Sequence, residues 1–139
     1  MKKLIVAMLI LSTLFACILP ASATEQPSVE PRYNNATTAS VTLGISSTGK
    51  ATITVTLTGK PSMERAFITT YLEKKVGTSW ERVDIGSTSN SWRFVTTDRY
   101  AQKTYTTTLS SRGQYRAVAS FNLYGSENDS FTLYDTATY

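Results

Sequence analysis

The residues that could do chemistry in this 139-residue chain are few. There is no histidine, and Cys17 is the single cysteine. Ser-His-Asp and Cys-His nucleophile systems therefore lack their base, and the common zinc ligand sets cannot be assembled. Carboxylates remain. Glu64, Glu73, Glu81, Asp84, Asp98, Glu127, Asp129 and Asp135 include the types needed for an acid and nucleophile pair. They are scattered over loops and outward strand positions, where solvated charge is the ordinary outcome. No catalytic residue and no cofactor are expected. Glu127-Asn128-Asp129 with Asp135 has oxygen chemistry suited to calcium. The same residues are favoured in a polar turn for backbone reasons, and a turn without metal is the reading adopted.

The aromatics give the other chemical hint. Tyr115 and Phe121 read as core, and Trp80 as packing at a sheet edge. Trp92, Phe94, Tyr100, Tyr124, Tyr134 and Tyr139 are too many to bury together. Exposed rings can stack on sugars or anchor a protein partner, and Trp92, Tyr100 and Tyr124 are the binding candidates. Scattered rings covering strand edges and loops are the more ordinary explanation of such aromatics. Asn35-Ala-Thr37 and Asn128-Asp-Ser130 match the glycosylation acceptor pattern, which a bacterial source would leave unmodified.

These residues must be positioned by strands. Leu109 to Tyr124 is the stretch that organises the chain. Gly113 permits a tight bend, after which Tyr115, Ala117, Ala119, Phe121 and Leu123 share one face at period two. A tyrosine just inside a strand, six residues after a leucine, looks like the tyrosine corner of immunoglobulin-like sandwiches. Ser40–Ile45 and Ala51–Leu57 alternate and read as a hairpin, with Ala51, Ile53, Val55 and Leu57 inward. Met63 to Ala66 could carry one helical turn. Ala66–Lys74 is the next strand, with Ile68, Thr70 and Leu72 inward. Trp80–Ile85, Ser91–Thr97, Thr104–Leu109 and Phe131–Tyr139 complete the set. Seven to eight short strands with regular turns, and no sustained helical period, predict an all-β antiparallel sandwich.

The first 23 residues have the parts of an export signal: Lys2 and Lys3, the apolar run Leu4–Leu19, and Ala21-Ser22-Ala23 before the cut. Leu14-Phe15-Ala16-Cys17 loosely resembles a lipoprotein box, which would instead lipidate Cys17 and attach the chain to a membrane surface. Phe15 is bulky for such a box, and Ile18 and Leu19 continue the apolar run, so cleavage after Ala23 is preferred. The mature chain is then 139 − 23 = 116 residues: a flexible leader over 24–35 and one domain over 36–139. Losing Lys2 and Lys3 leaves 12 basic against 10 acidic residues, a net charge of +2. No run of Lys and Arg suggests a nucleic-acid surface.

Three pieces together carry a resemblance: Leu72-Glu-Lys-Lys-Val-Gly-Thr-Ser-Trp80-Glu-Arg-Val83, the Gly113–Ala119 corner, and the tyrosine-rich closing strand. They resemble a family of small exported proteins of unknown function from Gram-positive, Clostridia-like bacteria. The resemblance spans most of 33–139 and implies a signal peptide followed by one immunoglobulin- or fibronectin-III-like domain. It carries no catalytic residues, and the lack of an inter-sheet cysteine pair departs from antibody-type domains. The function expected is a secreted, non-catalytic module that binds an extracellular protein or glycan or lends structure. The alternatives are a carbohydrate-binding module and a small carboxylate hydrolase.

Overall fold

The computed structural model describes residues 33–139. The export signal, its cleavage site, Cys17 and the leader up to residue 32 lie outside the described residues. Apolar side chains alternating with threonine give a strand one face to bury and one to leave in water. Eight segments follow: β1 (Ala36–Ile45), β2 (Lys50–Gly59), β3 (Met63–Val76), β4 (Ser79–Arg82), β5 (Trp92–Thr96), β6 (Tyr100–Thr108), β7 (Gln114–Gly125) and β8 (Asp129–Thr138). All pair antiparallel, in two sheets. One has the order β1-β2-β6; the other has the order β4-β3-β7-β8, with β5 also pairing to β3. Strands β4 and β5 share one edge of β3, at Glu73–Val76 and Ala66–Thr70 respectively. The domain is an all-β sandwich.

Met63 to Ala66 belongs to β3 and is not a helical turn. Met63 lies opposite Gly125 and Arg65 opposite Tyr124, with a bulge between the two positions. Pairing with β7 gives this segment backbone partners on one edge, whereas an isolated helical turn leaves most of its groups unpaired. The inward sets are otherwise as alternation predicts. Ala51, Ile53, Val55, Leu57, Ile68, Leu72, Ala117, Ala119, Phe121 and Leu123 are all buried between the sheets.

Tyr115 is buried, and its hydroxyl donates to the Ser111 carbonyl at 2.6 Å, which closes the β6–β7 corner. Beneath this corner Gly49 has φ +82°, and a Cβ there would come within 2.7 Å of the Tyr139 ring. A side chain at position 49 would meet both a disfavoured backbone and an occupied space.

Thr70 is fully buried in β3, opposite Trp92, and its hydroxyl has no partner. An unpaired buried hydroxyl is destabilising, so Thr70→Val should raise stability by about 1 kcal/mol. The measurement is the urea midpoint at unchanged slope. A lower midpoint would mean that the hydroxyl is bonded in solution.

The seam between β1 and β8 is closed by carboxylates. Asp129 and Asp135 point inward from β8, on the side of Phe131 and Leu133. Asp135 Oδ2 accepts the Leu43 amide at 2.8 Å, and Asp129 Oδ2 accepts the Asn35 amide at 2.6 Å. Inward charges of this kind also block the edge of β8 from pairing with another chain. Packing starts before Ala36. Tyr33 stacks on Phe131 with ring centroids 3.7 Å apart, and Phe131 stacks on Phe121 at 4.9 Å. Asn35 is fully buried, its amide nitrogen donating to the Glu127 carbonyl. Its acceptor motif is therefore closed to glycosylation in the folded domain.

Burial raises the Tyr105 phenol above 10.0, and burial with the Asp129 carboxylate does the same for Tyr33. The unfolded chain loses these protons at lower pH than the native one. Their stabilisation is complete below about pH 10 and is lost as pH rises through the native values. Urea midpoints between pH 8 and 11 should therefore fall more steeply for the native sequence than for the Tyr33→Phe, Tyr105→Phe pair. Parallel curves would contradict the burial of these phenols.

Candidate functional site

Alternation gives the two sheets outer faces of opposite character. On the three-stranded sheet the outward positions are Ser40 and Thr42 of β1, Thr52, Thr54, Thr56 and Thr58 of β2, and the Thr104, Thr106 and Thr108 side of β6. Between Lys50 at one end and Tyr100 at the other, this face carries no charge. Hydroxyls of Thr54 and Thr104 lie 3.3 Å apart across it.

The five-stranded sheet presents Arg65, Phe67, Tyr71, Glu73 and Lys75 from β3, and Trp80 and Arg82 from β4. Strand β5 adds Arg93 and Val95, β7 adds Arg116, Val118 and Tyr124, and β8 adds Tyr134. Five cations thus stand with one acid. The rings and guanidiniums are interleaved. Arg82 lies 3.4 Å above the centre of Tyr71, and Arg116 lies 4.5 Å from Trp80 and 5.9 Å from Tyr134. Arg65 lies 4.8 Å from Phe67 and 5.3 Å from Tyr124, which themselves meet edge to face at 5.6 Å. Val118 points outward and is still only 4% exposed, because its cross-strand neighbours Tyr71 and Tyr134 flank it. The layer is packed, which fixes the guanidiniums in place.

Stacking leaves a guanidinium's in-plane N–H donors free for carboxylate or phosphate. Among the described residues the one ion pair is Arg116 to Glu73, at 2.5 Å. Arg65, Lys75, Arg82 and Arg93 have no acidic partner there. The centre of the face is polar, with Ser120 and Thr132 hydroxyls 3.2 Å apart and Ser130 donating to Asn122 at 2.8 Å.

The three ring candidates lie on three different surfaces. Trp92 points between the sheets and stacks on Tyr105, centroids 5.0 Å apart. Tyr100 stands outward on the threonine sheet, at 62% exposure. Tyr124 belongs to the guanidinium face. Only Tyr124 joins the dense cluster, because the parity of each strand decides its face. The cluster's other members lay in plain view as outward positions, but nothing local joins β3, β4, β7 and β8. Only register places Arg82 beside Glu73 and Arg116 beside Glu73 from the other side.

Two clefts of about 260 Å³ among the described residues lie mainly outside this face. One separates β5 from β6, lined by Phe94, Tyr100 and Lys103 among others. The second, near the tyrosine corner, holds Glu81 and Asp84 together with Lys74 and Arg82. Both carboxylates are exposed, and Asp84 accepts the Gly86 amide at 2.8 Å. Burial is what raises a general-acid carboxyl, and both of these stand exposed to water. Among the described residues no three Asp, Glu, Cys or His side chains gather as a metal site, and no helix is long and apolar enough to cross a membrane. The carboxylates of Asp129 and Asp135 are instead bonded to backbone amides. Comparison with family models, curated proteins and solved structures found no match to this chain.

Proposed function

We propose that this chain is an exported, non-catalytic binding module of immunoglobulin-like type. Its contact surface is the outer face of the five-stranded sheet. The observation that carries this reading is the layer of guanidiniums held on rings across β3, β4 and β7, with four cations left unpaired. The order β1-β2-β6 against β4-β3-β7-β8, with a tyrosine corner opening β7, favours the fibronectin-III-like branch. Export rests on the N-terminal signal pattern, and membership of the Clostridia-like exported family on the resemblance of residues 72–83, the corner and the closing strand. Sugar stacking in the usual manner fits less well, since Arg65, Arg82 and Arg116 already cover the rings.

The test compares the full chain with two variants on a panel of immobilised glycans and extracellular proteins. One is Trp80→Ala with Arg82→Glu; the other is Thr54→Lys with Thr56→Lys on the opposite sheet. Retention by a panel member should fall about tenfold in the first and hold in the second. The reverse pattern would overturn the assignment of the face.

A further inference from the structure

The cations of this face are spaced along one line. On β3 itself Arg65 marks the first row. Four residues on, Thr69 pairs with Arg93, and four further on, Glu73 pairs with Arg82 and Arg116. At the rise of a strand, successive cationic rows are about 13 Å apart, and Lys75 extends the line. Phe67 and Tyr71 stand on β3 between these rows, and hydroxyl and amide groups of Thr69, Ser120, Asn122, Ser130 and Thr132 run beside the line, across β3, β7 and β8. The two clefts described above are lined for the most part by residues of other regions, and the face itself is open, which suits an extended ligand better than a small enclosed one.

Resting on the contact face argued above, we infer that the partner is a linear polysaccharide carrying carboxylates at intervals. The carboxylates meet Arg65, Arg93 and Arg82, whose planar donors suit bidentate pairing. Sugar hydroxyls on the β7 side of that line meet the Thr69, Ser120 and Asn122 belt. The net excess of positive charge on this face, and its absence from the threonine face, gives the complementarity its direction.

Affinity electrophoresis of the full chain in gels containing polygalacturonate, its methyl-esterified form, or a phosphodiester polymer tests this. Polygalacturonate should retard the chain, added salt should weaken the effect, and the esterified polymer should not act. The Arg65→Gln, Arg82→Gln, Arg93→Gln triple variant should bind about tenfold more weakly. All three side chains are exposed, and an unchanged thermal midpoint would show the variant folded. No retardation by polygalacturonate, or stronger retardation by the phosphodiester polymer, would overturn the carboxylate polysaccharide. Equal retardation by the esterified polymer, lost in the triple variant, would overturn it while leaving the contact face standing. Retardation that survives in the triple variant but is lost on Thr54→Lys with Thr56→Lys would remove the face itself.

Discussion

Replacing Phe131 with alanine is expected to lower the unfolding free energy by about 3 kcal/mol. Phe131 is the middle ring of a three-ring stack, 3.7 Å from Tyr33 and 4.9 Å from Phe121. It sits on the edge strand β8, while Phe121 is at the centre of the core and Tyr33 comes from the segment before β1. Truncation removes the ring's buried area, two aromatic contacts and the shelf on which Tyr33 lies. Phe131 is only half-buried, which sets the cost at the low end of the Phe→Ala range. At about 4 °C per kcal/mol for a domain of this size, the thermal midpoint should fall about 12 °C. Phe131→Leu keeps most of the apolar area and should lose about half as much. A loss below about 1 kcal/mol on Phe131→Ala would mean that the stack does not hold the seam.

The second large effect is expected at Gly125, the last residue of β7. A Cβ there would run into the Ser62 backbone carbonyl and the Asn35 side-chain oxygen. Neither can step aside cheaply. Ser62 is fixed by the β2–β3 turn, where Met63 donates its amide to the Lys60 carbonyl at 3.1 Å. Asn35 is pinned on three sides: its amide donates to Asp129, its carbonyl accepts from Lys60, and its side chain donates to Glu127. Gly125→Ala should therefore cost about 3 kcal/mol, the upper part of the overpacking range. Much of that cost would come from opening the junction of three segments, so amides at 34–35 and 125–129 should lose hydrogen-exchange protection first. Gly44→Ala is the control, since nothing lies within 4 Å of a Cβ there. If the two substitutions cost the same, steric contact is not the cause at position 125.

Phe131 points between the sheets, away from the guanidinium layer, so damage there would act on binding only through loss of fold. Gly125 adjoins the layer at its Tyr124 and Arg65 end, so binding is best tested by exchanging an exposed arginine for glutamine, which leaves the core untouched.

Local alternation determined the strands and their inward faces, because the pleat turns every second side chain the same way regardless of partner. Ala51 to Leu57 and Tyr115 to Leu123 were legible for that reason, and so was the corner at Tyr115. The all-β class and the turns around Gly49 and Gly125 followed from the same pattern. Position along a strand does not say which strand lies beside it. The division of one edge of β3 between β4 and β5, and the seam of β1 against β8, depend on pairings distant in sequence. So does the fate of Asp129, which reads as a turn residue, and of Asp135, which reads as a solvated strand position; both accept backbone amides, from Asn35 and Leu43. The candidate site is the plainest case. Arg65, Arg82, Arg93 and Arg116 come from four strands, each unremarked within its own segment. Register alone gathers them on one face, because cross-strand neighbours lie about 5 Å apart in space however far apart they are in the chain.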